Sequence, residues 1–313
     1  MVMTVCGFIF SPLIAIIMGL LMLGVTRKVM ARIHWRYGPP LLQPVIDIIK
    51  LFYQKAPSHG SLFDFGVILS LTGSIVVLLF LPIGRFAPLS PAGGLLAITY
   101  LMLVAPLGIA LSGGEGANPN ISIGISRKLI LSFGYEVSLV LGILAVMTRY
   151  DTISIVKVVE VQQTGGWSLF SWPLVVAGIA YLLILPAILG VRPFDVVSAP
   201  QEISSGPNVE YGGKYLGLST ISHALSEFIS IGLFVNLFLG GWGLWGAMSP
   251  FQEGGLGVFL GVMIFLAKIF LVYMAGLLIS AVLPRLRVDQ AVRYLLKWPS
   301  FLAFVGLVLA WAL

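Results

Sequence analysis

From Gly257 to Leu283 the chain carries a single charge, Lys268, in an otherwise apolar run. Seven further stretches are built alike: Val5–Val25, Leu62–Leu81, Gly93–Ser112, Leu129–Thr148, Trp172–Leu189, Ser219–Leu239 and Pro299–Leu313. A helix needs about 20 predominantly apolar residues to cross a bilayer. Backbone groups in lipid must find their partners inside the protein, and a helix provides them within the segment itself. A transmembrane barrel is excluded, because the runs are too long for its strands and show no alternation. The expected fold is an all-α membrane protein with about eight transmembrane helices, forming one polytopic domain over residues 1–313. The last run is short and is expected to sit among partners or to end at the interface. Charged residues make up 10% of the chain, against roughly 25% in a soluble domain. The first run is expected to be a retained helix. No Lys or Arg precedes it, and it is longer than the apolar core of a signal peptide.

The cations sort by connection. Of 18 Lys and Arg residues, fourteen fall in connections 26–61, 113–128, 190–218 and 284–298. These are Arg27, Lys28, Arg32, Arg36, Lys50, Lys55, Arg127, Lys128, Arg192, Lys214, Arg285, Arg287, Arg293 and Lys297. The opposite side has only Arg85, Arg149 and Lys157. This asymmetry places the four connections in the cytoplasm and both termini outside a cell (inner) membrane. Topology and anionic headgroups account for the net charge of +6, so no nucleic-acid partner is implied. The single cysteine, Cys6, cannot hold an iron–sulfur cluster and reads as small apolar filling. With no Cys–His grouping, P-loop or Rossmann-type glycines, the chain is expected to bind no metal or cofactor of its own.

Within the first connection, Gly38-Pro39-Pro40 stops any helix. Beyond it Leu41, Val45, Ile48, Ile49 and Phe52 recur at helical spacing, with Gln43, Asp47, Lys50 and Gln54 opposite. That predicts an amphipathic helix of about four turns, with Pro44 in its first turn. It is expected to lie in the interface, to offer a docking surface to a soluble partner, or both, since the two are compatible. Three ionisable groups fall inside spans: Glu136, Glu227 with His223 four residues before it, and Lys268. Such groups are costly in lipid and usually face the bundle interior or a hydrated path, although a carboxyl bonded to a neighbouring helix, an interfacial His or a snorkelling Lys is the plainer alternative for each. Lys268 lies too far from either end of its span to snorkel comfortably. Asp64, at a helix edge, reads as a cap. The connection 190–218 holds three of the twelve carboxylates, Asp195, Glu202 and Glu210. The last connection crowds Arg285, Arg287, Arg293 and Lys297 with Asp289, either as topology-setting charge or as a basic docking rim.

Four motifs together resemble one family, the quinone-site membrane subunit of respiratory complex I and its counterparts in membrane-bound NiFe hydrogenases. They are Arg32…Arg36-Tyr37-Gly38-Pro39 with Gln43-Pro44…Asp47…Lys50, then Ser126-Arg127 with Tyr135-Glu136-Val137. The third is Arg192-Pro193-Phe194-Asp195 with Gln201-Glu202 and Glu210-Tyr211-Gly212-Gly213. The fourth is Pro284-Arg285…Arg287…Asp289-Gln290…Arg293. They span most of the chain in the family's order. Three departures remove charges expected near a quinone channel. Ser198 and Pro200 stand where further glutamates are usual, Ser280 where an arginine is typical, and His223 at the ungapped place of the sixth helix's glutamate, which Glu227 matches only with one helical turn inserted after Tyr211.

The resemblance therefore implies the hydrogenase-like branch, or a sulfur-reducing relative. It implies a non-redox anchor docking a cytoplasmic arm of iron–sulfur and hydrogenase-like subunits, beside antiporter-like membrane subunits exporting H+ or Na+. Iron–sulfur clusters, and NiFe where present, would belong to the partners. By the same resemblance the docking funnel comprises Arg32, Arg36, Asp47, Lys50, Arg127, Arg192, Asp195, Glu202, Glu210, Arg285, Arg287, Asp289 and Arg293. Ion coupling falls to Glu136, Glu227, Lys268 and His223. The alternatives are the quinone-site subunit of a complex I-type quinone reductase and, in another class, a stand-alone ion transporter. Against the last, no repeat relates the two halves.

Overall fold

The structure, a computed structural model, describes residues 2–89, 94–116, 118–204, 206–244 and 255–312, without the side chains of residues 2–6, 200, 201 and 255. The side chains of Cys6, Pro200 and Gln201, and the expected span ends Gly93 and Leu313, thus lie outside the described residues. Twelve α-helices follow one another, with no strand among the described residues. They are α1 (Val2–Ile33), α2 (Gln43–Tyr53), α3 (Ser61–Phe80), α4 (Leu95–Met102), α5 (Val104–Gly114), α6 (Pro119–Tyr150), α7 (Ile155–Gly165), α8 (Leu174–Ile188), α9 (Pro200–Ile203), α10 (Gly213–Phe238), α11 (Gly255–Val282) and α12 (Val288–Ala312). Taking α4 and α5 as one passage, seven are long and apolar enough to cross a membrane, and α8 is a shorter apolar helix. The chain is an all-α, multi-pass membrane protein.

Helix ends have local causes. Pro106 clashes with the carbonyl four residues before it, and the third passage breaks there, with α4 ending at Met102. The Asn118 side chain accepts from the Asn120 N–H, and Pro119 opens α6. α6 then runs 32 residues, about 48 Å at 1.5 Å per residue. Arg127 and Lys128 therefore ride on this helix, not in a connection. α12 likewise begins at Val288, so the last passage has 25 residues and is not short. Pro299 inside it has no N–H for the Leu295 carbonyl, and the Ser300 hydroxyl donates to that oxygen instead, at 3.0 Å. The amphipathic helix α2 has 11 residues, three turns and not four. Its Pro44 and Ile48 are buried, while Ile49 and Phe52 of the same expected face remain about half exposed.

The buried centre of the bundle is α10, most of whose apolar length is enclosed. Tyr181 of α8 donates to the Ser230 carbonyl of α10 at 2.9 Å. Ile48 of α2 packs with Leu20 of α1 and Ala224 of α10. Elsewhere close approach depends on small residues, as expected where lipid supplies no hydrophobic drive between helices. Gly66 of α3 and Gly108 of α5 abut each other's backbone. A Cβ on Gly108 would stand 2.5 Å from the Ser70 nitrogen and 2.7 Å from the Gly66 carbonyl oxygen. Gly108→Val should thus destabilise the protein by about 1–3 kcal/mol or more. Gly142→Ala, which meets nothing within 4 Å, should be neutral or slightly stabilising. Thermal unfolding in detergent separates the two.

Candidate functional site

At one end of the bundle the segment after α8 folds back across α6 and the start of α12. Gly190, at φ +65°, ends α8 in the left-handed conformation, and Arg192–Pro193 is a cis peptide. Leu286 N–H donates to the Pro193 carbonyl at 2.9 Å, which draws the 284–287 segment alongside. Four charges converge here. Arg127 meets Glu202 at 2.7 Å. Arg285 lies 3.6 Å from Asp195 and 3.8 Å from Glu202. Ser198 donates to Asp195 at 2.5 Å. An open cleft of about 450 Å³ is lined by Arg192, Asp195, Glu202, Arg285 and Arg287. The expected funnel residues do not all gather here. Glu210 sits beside Gly116, away from the arginine cluster. Asp289 and Arg293 are exposed along the first turns of α12. Arg32, Arg36 and Lys50 are exposed around the α1–α2 turn, where Arg32 lies 5.0 Å above the Tyr37 ring.

Asp47 ties α2 to α1 by accepting from Arg27 at 2.8 Å, and from Gln43 within its own helix at 2.8 Å. The Arg27 hydrogen bond, then that of Gln43, holds its carboxyl below the usual carboxylate range. The tether is therefore kept through neutral and mildly acid pH and lost only as pH falls through that lowered pKa.

Deeper in the bundle is a cavity of about 220 Å³ between α4–α5, α6, α8 and α10. Lys128, Tyr135, His223 and Glu227 line it, with the hydroxyls of Ser132, Ser222, Ser226 and Ser230. Its wall also includes Val197 and Ser198, from the segment that carries Asp195 and Glu202. His223 Nδ1 stands 3.6 Å from Glu227 Oε1, beyond hydrogen-bond length. The Glu227 side chain is 5% exposed, and its Oε2 has no partner among the described residues. Two serines of α10 spend their protons on their own helix, Ser226 on the Ser222 carbonyl and Ser230 on the Ser226 carbonyl. Their oxygens are left to act as acceptors.

The other two embedded groups lie apart from this cavity. Glu136, next to Tyr135 on α6, is half-buried and lines neither space. Lys268 of α11 donates to the carbonyls of Leu239, Gly241 and Gly243 at the far end of α10. Ser280, at the place of the family's arginine, is buried.

Three features escape sequence reasoning. Glu115, from the turn after α5, accepts from Phe63 N–H at 2.5 Å and so caps α3. Asp64 is instead bonded by Ser58 at 2.8 Å. Glu115 is adjacent to α3 only through the fold, so no local pattern reveals it. Tyr211 bonds Ser112, and burial pushes its phenol up, partly opposed by that bond. Lys128 reads in the sequence only as one more charge. Its place one position after Arg127, on the helix face of Leu131 and Tyr135, is the signal that puts it in the cavity. Among the described residues no group of three or more His, Cys, Asp or Glu could hold a metal.

The bundle, with its charged cleft and ionisable inner cavity, is that of a polytopic membrane protein. The chain belongs to the NADH dehydrogenase family, whose model matches residues 6–311. Formate hydrogenlyase subunit 4 of Escherichia coli (strain K12) is 31% identical over 302 residues, covering 93% of this chain and 94% of that protein. The H subunit of F(420)H(2) dehydrogenase from Methanosarcina mazei is 29% identical over 313 residues, covering 94% and 88%. A chain in the structure of the membrane-bound sulfane sulfur reductase, an archaeal respiratory membrane complex, superposes with a TM-score of 0.91 at 37% identity, covering 98% of this chain and 99% of that one.

The Arg127–Glu202 pair is part exposed, so a double-mutant cycle with Arg127→Met and Glu202→Gln should give a coupling of about 0.2–1 kcal/mol. Arg285→Met should cost more than Arg127→Met, since Arg285 faces two carboxylates. Unfolding midpoints of the four variants check both.

Proposed function

We propose that the chain is the non-redox membrane anchor of a multisubunit respiratory complex of the hydrogenase-like or sulfur-reducing kind. It docks a cytoplasmic iron–sulfur arm at the Arg127–Asp195–Glu202–Arg285 cleft and couples electron transfer to H+ or Na+ translocation. The observation that carries this reading is Glu227, which has a buried carboxylate oxygen without a partner among the described residues and lines a cavity walled in part by the segment that lines the cleft. A charge change at a docked module acts on Asp195 and Glu202. The Val197–Ser198 stretch between them then moves or repolarises the cavity, and Glu227 responds through its proton affinity. Glu136 and antiporter-like subunits beside it receive the effect sideways. The bias of cations toward the cleft end supports a cytoplasmic cleft with both termini outside.

Named relatives support the assembly. Formate hydrogenlyase and F(420)H(2) dehydrogenase are each represented by a similarly sized subunit. The cavity itself favours a second reading, the quinone-site subunit of a quinone-reducing complex, with the quinone head beside His223 and Glu227. The two separate on inhibition of the purified complex by quinone analogues and on the subunits that co-purify. A nickel-containing partner selects hydrogenase, and a related partner without nickel selects sulfur reduction.

In vesicles carrying the complete complex, Glu227→Gln is expected to abolish most ion translocation while electron transfer and assembly persist. Glu136→Gln should act in the same direction. Undiminished transport per electron in both variants would refute the coupling role.

A further inference from the structure

We propose that Lys268 is a tethered cation filling a cage of backbone carbonyls, and that it pins the far end of α10, the helix bearing His223 and Glu227. An ammonium has three N–H donors. Lys268 Nζ meets three acceptors: the carbonyls of Leu239 at 2.6 Å, Gly241 at 3.0 Å and Gly243 at 2.5 Å. The Trp167 ring forms the floor, 4.7 Å from Nζ, where its face attracts a cation. A neutral amine has one N–H fewer, and its lone pair would point at a carbonyl oxygen. The cage therefore specifies the charged form, and releasing the proton would break a contact.

Its position strengthens the point. Leu239 directly follows the last turn of α10, where unsatisfied carbonyls make the helix end electronegative. Gly240 and Gly241, at φ +70° and +53°, turn the chain there, with the Gly240 carbonyl accepting from Gly243 N–H at 2.9 Å and the Gly241 and Gly243 carbonyls left to Lys268. A Cβ on Gly240 would press on Trp167 at 3.1 Å. Two further side chains grip this end. Gln162 of α7 donates to the carbonyls of Asn236 and Leu237, each at 3.0 Å, and Asn236 donates to the Pro82 carbonyl at 3.1 Å. Lys268 adds α11 to that junction. Among the described residues no carboxylate pairs with it.

Lys268 is thus a positioning residue, fixing one end of α10 so that motion near Glu227 is confined to the cleft end. The pin itself does not require that Glu227 carry a proton. The test uses the intact complex in vesicles, reading amide hydrogen exchange over residues 236–244 together with ion transport per electron and its pH profile. Lys268→Met should speed exchange in that segment by about tenfold, and Lys268→Arg should do so less. Lys268→Ala should regain protection with millimolar propylammonium but not with tetramethylammonium, which has no N–H to offer. Glu227→Gln should leave exchange at 236–244 unchanged, whatever it does to transport. Unchanged exchange in Lys268→Met overturns the proposal. So does a shift of the transport pH profile without faster exchange, since Lys268 would then be an ion carrier. Should Lys268→Met fail to assemble, failure of propylammonium to protect Lys268→Ala overturns it as well.

Discussion

A polar atom inside a bilayer has no solvent to fall back on, and this fold is organised by how each one finds a partner. The solutions are local and specific. Ser300 takes the carbonyl that Pro299 leaves unpaired, which lets a proline sit inside α12 without opening the helix. Gln162 spends both amide protons on the carbonyls at the end of α10 and accepts from Ser168 N–H. Serines along α3 and α10 bond back to their own helices, and Ser70 and Ser222 bond each other across the interface at 2.8 Å. A few buried polar atoms, among them Ser11 Oγ, Asn236 Oδ1 and Glu227 Oε2, have no partner among the described residues, and Glu227 Oε2 is the one that belongs to a carboxylate. An unsatisfied buried acceptor costs roughly 1–3 kcal/mol.

The cleft and the cavity share a wall segment because α8 is short. Its 15 residues rise about 22 Å, well under the roughly 30 Å of hydrocarbon. The chain therefore leaves α8 at Gly190 while still within the bundle. The segment that follows lines the cavity at Val197 and Ser198 and the cleft at Asp195 and Glu202. A full-length helix would have carried these residues beyond the cavity. The extended α6 complements it from the other side, setting Arg127 on the cleft and Lys128 on the cavity in consecutive positions.

Much of this is legible in the sequence, for physical reasons that also mark the limits. Apolar length locates a span without any neighbour, so the seven long passages are readable, and α8 shows by its hydropathy as a shorter apolar helix. Helix ends are less so. Arg127, Lys128 and Arg293 look like connection residues because they are charged, yet α6 and α12 continue through them, since charge does not break a helix. The amphipathic pattern locates α2 but assigns one apolar face where the fold makes two, Ile48 inward and Ile49 and Phe52 outward. Spacing brings His223 and Glu227 together correctly, because four residues on a helix is a local relation. It cannot say that Lys268 is remote from them, or that Glu115 caps α3, because both depend on which helices pack side by side.

Charge balance at the cleft bears on how an electron could be felt there. Four arginines, Arg127, Arg192, Arg285 and Arg287, face two carboxylates, Asp195 and Glu202. Every close contact of those carboxylates to a cation is shared or part exposed, so none is locked by full burial. Negative charge arriving at a docked module would compete with Asp195 and Glu202 for the same guanidinium groups. Screening works against such an effect in open solvent, where the Debye length is about 8 Å at physiological ionic strength. It works less once a partner covers the cleft and removes the water. The switch would then need no long wire. A guanidinium turning from Asp195 or Glu202 toward the partner would free the segment whose next residues are the cavity wall, while the Lys268 cage keeps the far end of α10 in place.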